Sequence, residues 1–270
     1  MELSRQGEVV GHHRAPPVWE LGLVGAGMVL PTLLACFYFL GTADWGPGWQ
    51  RAAVVVSKLL QFSLPGLWWF AFQSKRGAFF GYSSPSEEKS AASANPVIWR
   101  GIVEGLLFGI VVFGVIWGAF WAFFTGTETA RTAGENIHRF LARNGVTSPG
   151  QYLLVAAGYS LLHAGLEEVY WRWFVFGGLF VFCGTWPGLV LAAVSFTAHH
   201  VVILGVYFGW GSWHQAIFSL GVFLGGAYWC WLFLRSNSLV GPWLSHVVVD
   251  VAIFVVGYYL AAPHFGWIGG

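Results

Sequence analysis

Charge is what this sequence has least of. Only 9% of its 270 residues are Asp, Glu, Lys or Arg, against about 25% in a soluble domain. That leaves too few polar side chains to coat a water-soluble surface. The 13 basic and 12 acidic residues nearly cancel and gather in no basic patch, so nucleic acid is not an expected partner. Cysteine is nearly missing too. Cys36, Cys183 and Cys230 lie on apolar segments, and an odd number without a framework excludes a disulfide scaffold. They are read as small hydrophobes. No His-Glu-x-x-His run occurs, so the familiar helical zinc-protease signal is missing. There is no internal repeat and no separate soluble domain.

What is abundant is apolar length. Hydrophobic residues make up 56% of the chain, with 17 Trp and 24 Phe. Runs long enough to cross a bilayer, about 20 residues each, recur along it. Seven spans are expected, at Val18–Leu40, Ala52–Phe72, Ile98–Phe124, Tyr152–Val181, Pro187–Tyr207, His214–Leu234 and Leu239–Leu260. The second is weakened by Lys58 and Gln61. Runs of this length favour helices over the short alternating strands of a barrel. The fold class is therefore all-α, a polytopic transmembrane helical bundle of about seven spans, with six to eight allowed. Residues 1–17 are polar and precede too long an apolar stretch for a cleavable signal; they are expected to form a short cytoplasmic tail. Residues 18–150 form an N-terminal transmembrane region with two polar loops, Gln73–Pro96 and Thr125–Gly150. Within the second, Ala130–Asn144 carries Ile137, Phe140 and Leu141 at helical spacing, which fits an interfacial helix or an ordinary amphipathic surface helix. Residues 151–262 form the remaining unit. The chain is expected to be an integral, multi-pass membrane protein in contact with lipid.

Inside this apolar background a few polar groups stand out, because a charge near the bilayer centre costs several kcal/mol, of order ~3, unless it is partnered. The fourth span contains Glu167, Glu168 and Arg172. Glu168 and Arg172 are four apart and can pair on one face. Glu167 points about 100° away, and His163 precedes it by one turn. The fifth span contains Phe196, His199 and His200, of which Phe196 and His200 share a face. The seventh contains His246 and Asp250, again four apart. Glu104, one turn after Arg100, reads as a structural ion pair near the membrane surface.

Three spans thus each offer groups suited to proton transfer or charge stabilisation. A carboxylate among apolar side chains is matched to general-base work near neutral pH, and histidines can donate to a developing oxyanion. The same groups fit other roles. They can pin helices together, relay protons in a coupled transporter, or, as two histidines and a carboxylate, hold zinc.

The three segments Glu167-Glu168-Val169-Tyr170-Trp171-Arg172, Phe196-Thr197-Ala198-His199-His200 and His246-Val247-Val248-Val249-Asp250 resemble the CPBP family, the type II CAAX prenyl endopeptidase or ABI family. Its pattern runs Glu-Glu-x-x-x-Arg, Phe-x-x-x-His and His-x-x-x-Asn or Asp. The resemblance covers about Tyr152–Leu260. It implies an intramembrane endopeptidase acting on a membrane-associated or lipidated peptide. In that reading Glu167 activates water, His200 positions it, His246 and Asp250 stabilise the oxyanion, and Glu168 with Arg172 supports them. Asp250 stands where prenyl-processing members carry Asn, so it acts protonated or by orienting His246. Family members are described both as glutamate-type and as metal-dependent. With the usual zinc motif missing, no cofactor is expected; a divalent metal such as zinc would fall to Glu167, His200 and His246. The family also includes silent relatives tied to immunity or scaffolding. In a bacterial cell the resemblance implies the plasma membrane.

Overall fold

The computed structural model describes residues 18–42, 44–72 and 96–266, and among them it is helical throughout, without strands. The expected N-terminal tail and the loop at residues 73–95 lie outside the described residues. Eight helices follow in order among those described. They are α1 (Val18–Gly41), α2 (Pro47–Ala71), α3 (Pro96–Phe124), α4 (Glu128–Arg143), α5 (149–183), α6 (Thr185–Phe208), α7 (Trp213–Ser236) and α8 (Val240–Phe265). Six of them, all but α4 and α5, are long and apolar enough to cross a bilayer. Helix α5 is the expected fourth span; it has the length, but Glu167, Glu168 and Arg172 fall in its middle. Large apolar side chains such as Leu59, Phe70, Val111, Phe123 and Leu154 point outward. An exposed apolar surface that extensive belongs against lipid. The chain is an integral, multi-pass membrane protein.

Local chemistry sets the helix ends. Thr127 caps α4, accepting from the Ala130 amide at 3.2 Å. Ser148 and Gln151 form a reciprocal capping box at the start of α5, which satisfies two amides that have no partner within the helix. Helix α4 is the amphipathic segment foreseen in the second loop. Its apolar face meets protein: Ile137 and Leu141 pack with Tyr152, Tyr258 and Phe265. Asn136 donates to the Val206 and Tyr207 carbonyls at 3.2 and 3.1 Å. So α4 ties the end of α6 to the end of α8.

The packing that places α8 is built on small residues. Gly101, Gly105 and Gly109 recur at every fourth position and are, with Phe120, the buried positions of α3. A Cβ on Gly105 would lie 2.4 Å from the Gly241 carbonyl oxygen, and one on Gly109 3.0 Å from that of Ser245. Backbones can approach this closely only where side chains are missing, the device that drives helix association in membranes. Gly241 begins the same turns of α8 that carry His246, so this contact fixes the depth of that histidine. Glu104 lies on α3 beside the contact and is held by Arg100 at 2.8 Å and Arg235 at 3.3 Å, the structural ion pair expected with one further arginine.

Gly105→Leu is expected to force α3 from α8 and destabilise the fold by roughly 1–3 kcal/mol, the usual cost of overpacking. Gly114→Leu, where an added Cβ meets nothing within 4 Å, should change little. Melting temperatures of the two variants in detergent check this.

Candidate active site

The two carboxylates of α5 sit between two widened π turns, Tyr159–His163 and Val169–Phe176. Wide turns of this kind recur at functional sites. Both side chains are buried, and they have different surroundings.

Glu168 is the anchored one. Its Oε2 lies 3.1 Å from Arg172 Nε one turn on, at ion-pair distance. Its Oε1 accepts from His246 Nδ1 at 2.7 Å, across from α5 to α8. Arg172 has no exposed surface, and its guanidinium lies 4.8 Å from the Phe196 ring and 4.9 Å from the Trp229 ring. Aromatic faces stabilise a cation that has left water. Those rings belong to α6 and α7, so one arginine draws three helices together. Trp229 in turn stacks on the His246 ring at 4.3 Å and donates from Nε1 to Ser245 Oγ at 3.0 Å. His246 is therefore fixed on its face by Trp229 and at Nδ1 by Glu168, which leaves Nε2 for the interior.

Glu167 is the other kind. No lysine or arginine among the described residues pairs with it; it is ringed by imidazoles. Its Oε1 lies 3.4 Å from His163 Nε2 and 3.7 Å from His199 Nε2, and its Oε2 lies 3.9 Å from His246 Nε2. These are loose contacts around an acceptor with spare capacity. Asp250 joins from α8, with Oδ1 3.6 Å from His246 Nε2.

The three sequence segments thus converge: Glu167, Glu168, Arg172, His246 and Asp250 form one connected cluster, which the second segment joins through Phe196 and His199. His200 is placed differently. Its Nδ1 hydrogen-bonds the Phe196 carbonyl at 2.9 Å in its own helix, and its ring lies 4.1 Å from that of His199. Of the two neighbours, the one within 4 Å of Glu167 is His199, which is stacked parallel to Trp171 at 5.4 Å. Trp171, Trp229 and Phe196 shape the site, and only Phe196 was marked by spacing. Zinc accepts histidine and carboxylate ligands, but among the described residues no three His, Cys, Asp or Glu side chains group so as to hold a metal ion.

Arg172→Met would strand Glu168 in an apolar interior. A loss of about 3–5 kcal/mol is expected for a buried pair broken on one side. Adding Glu168→Gln should return part of it, so that the double variant melts above Arg172→Met alone.

Residues 149–252 match the family model described as type II CAAX prenyl endopeptidase Rce1-like. That stretch runs from the start of α5 into α8 and contains every residue of the cluster. Neither the curated proteins nor the solved structures yield a match. The order of the three segments and this match make residues 149–252 a domain similar to the CAAX prenyl endopeptidases.

Proposed function

We propose that the chain hydrolyses a peptide bond in or beside the membrane by a water that Glu167 activates, without a metal. The observation that carries this reading is the ring of histidine nitrogens at 3.4, 3.7 and 3.9 Å around one buried carboxylate. A general base has to reach its proton directly or through one water, and the three imidazole nitrogens around this carboxylate stand 3.4 Å or more away.

The roles follow from the contacts. Glu167 takes the proton of the attacking water, and His199 and His163, both on Oε1, orient that water. The hydroxide adds to the scissile carbonyl, and the proton held by Glu167 passes to the leaving amine. Negative charge collects meanwhile on the former carbonyl oxygen. His246, with Nδ1–H spent on Glu168, presents Nε2–H to that oxygen when doubly protonated. Asp250 steadies it from the same helix face. Fixed donors aimed at developing charge in a dry site are among the largest catalytic effects. Glu168 and Arg172 act by holding His246 and the helices. His200, bound to its own backbone, backs His199. The substrate is a membrane-associated, lipid-bearing peptide segment, and in a bacterium the enzyme works in the plasma membrane.

Glu167→Gln should lower kcat by about 10²–10⁴, the range attributed to general-base catalysis, with the fold retained. His199→Ala should cost more activity than His200→Ala, and EDTA-treated protein should keep its rate. Cleavage of a lipidated peptide in detergent or vesicles measures all three. Full activity of Glu167→Gln would end the proposal, and loss of activity to EDTA restored by zinc would replace its chemistry.

A further inference from the structure

A second polar feature faces the same interior from α2. Lys58, Gln61 and Phe62 lie at positions i, i+3 and i+4, on one helix face. Phe62 packs edge-on against His163, with ring centroids 5.6 Å apart, and against Tyr170 at 6.2 Å. Lys58 Nζ sits 5.6 Å from the Phe62 ring centre. The ammonium interacts electrostatically with both Glu167 and His199. It forms no ion pair within 4.0 Å among the described residues. Among the described residues its hydrogen bond is a long one, 3.4 Å, to Gln61 Oε1. Gln61 is buried, and among the described residues its Nε2 has no hydrogen-bond partner.

This arrangement is costly as it stands. A cation in a membrane-embedded helix calls for a counter-charge, and a buried amide donor left unmade costs about 1–3 kcal/mol. Both groups are donors, they are adjacent, and they share a helix face with Phe62, whose ring meets His163 beside Glu167. What satisfies both together is an anion with two acceptor oxygens. Resting on the hydrolytic reading above, we infer that Lys58 and Gln61 form a carboxylate-binding subsite that holds the substrate peptide close to the bond being cut. Lys58 supplies the charge, and Gln61 Nε2 donates to the second oxygen. The gap to Glu167 is wider than an ion pair, and an extended peptide covers about 3.3–3.6 Å per residue. The bound carboxylate is therefore set off from the scissile bond along the peptide. It is either the peptide's own C-terminus or an acidic side chain near it. Lys58 is a specificity-determining residue here and takes no part in the proton transfers.

The test compares lipidated peptides identical except at the anion: free C-terminal acid, C-terminal amide, and internal Glu replaced by Gln. Their KM and kcat are measured on wild type, Lys58→Met, Lys58→Arg and Gln61→Leu. A charge-assisted contact out of water is worth at least about a tenfold preference. Wild type should therefore show a KM roughly ten times lower for the carboxylate-bearing peptide. Lys58→Met should bring that ratio to about one, Lys58→Arg should keep part of it, and Gln61→Leu should reduce it. Which of the two neutralised peptides loses the preference names the source of the carboxylate. A wild-type ratio near one overturns the proposal, as does a ratio preserved in Lys58→Met. So does a fall in kcat that is equal for all peptides, because Lys58 would then act through Glu167. Binding of the acid and amide peptides to Glu167→Gln, alone and with Lys58→Met added, gives the same ratio as Kd values. If no peptide is cleaved, the hydrolytic reading fails while the binding ratio still decides the subsite.

Discussion

A carboxylate without water around it must find its compensation on neighbouring helices, and Glu168 shows what that demands. One oxygen faces Arg172 and the other accepts from His246. Arg172 needs the Phe196 and Trp229 rings because it too is fully buried. Four helices, α5 to α8, therefore converge on one ion pair. Such a pair is weak evidence for net stability, since removing two charges from water can cost more than their attraction returns. Its clearer effect is positional. It sets which way His246 faces and how far α8 lies from α5, and those two facts create the environment of Glu167.

The adjacent acids have opposite assignments for a geometric reason. Consecutive helical residues point about 100° apart, so one can face the core of the ion pair while the next faces the histidines. Glu168 is anchored by an ion pair and one short hydrogen bond, and Glu167 is loosely surrounded. A working base has to give up its contacts as the proton moves, so the loosely held carboxylate suits the role and the anchored one suits support. The glycine seam between α3 and α8 serves the same end from outside, because it brings Gly241 and Ser245 against α3 and so sets the height of His246.

Much of this was legible in the sequence. The apolar runs fixed the spans to within a few residues, and the i, i+4 spacings of Glu168–Arg172, His163–Glu167 and His246–Asp250 each became a contact. These are local quantities, set by one helix. What could not be read was anything that depends on how a helix is rotated against its neighbours. Phe196 and His200 do share a face, and the structure keeps them 4.6 Å apart. Yet the turn of α6 that meets Glu167 presents His199. Trp171 and Trp229 were lost among 17 tryptophans, because composition gives no sign of which rings cover a histidine or a guanidinium. Lys58 weakened a span in the sequence, and only the fold shows that it sits by Phe62, the ring that meets His163. Helix α4 was visible as amphipathic, but whether its apolar stripe met lipid or protein was a tertiary question.

In the proposed mechanism Glu167 and His199 work as one unit on one water. A double-mutant cycle on kcat/KM, with Glu167→Gln, His199→Ala and both together, tests it most directly. Groups that act as a unit are strongly non-additive. The double variant should therefore be no more than a few-fold slower than Glu167→Gln alone. Losses that multiply, as for two independent sites, would contradict the account.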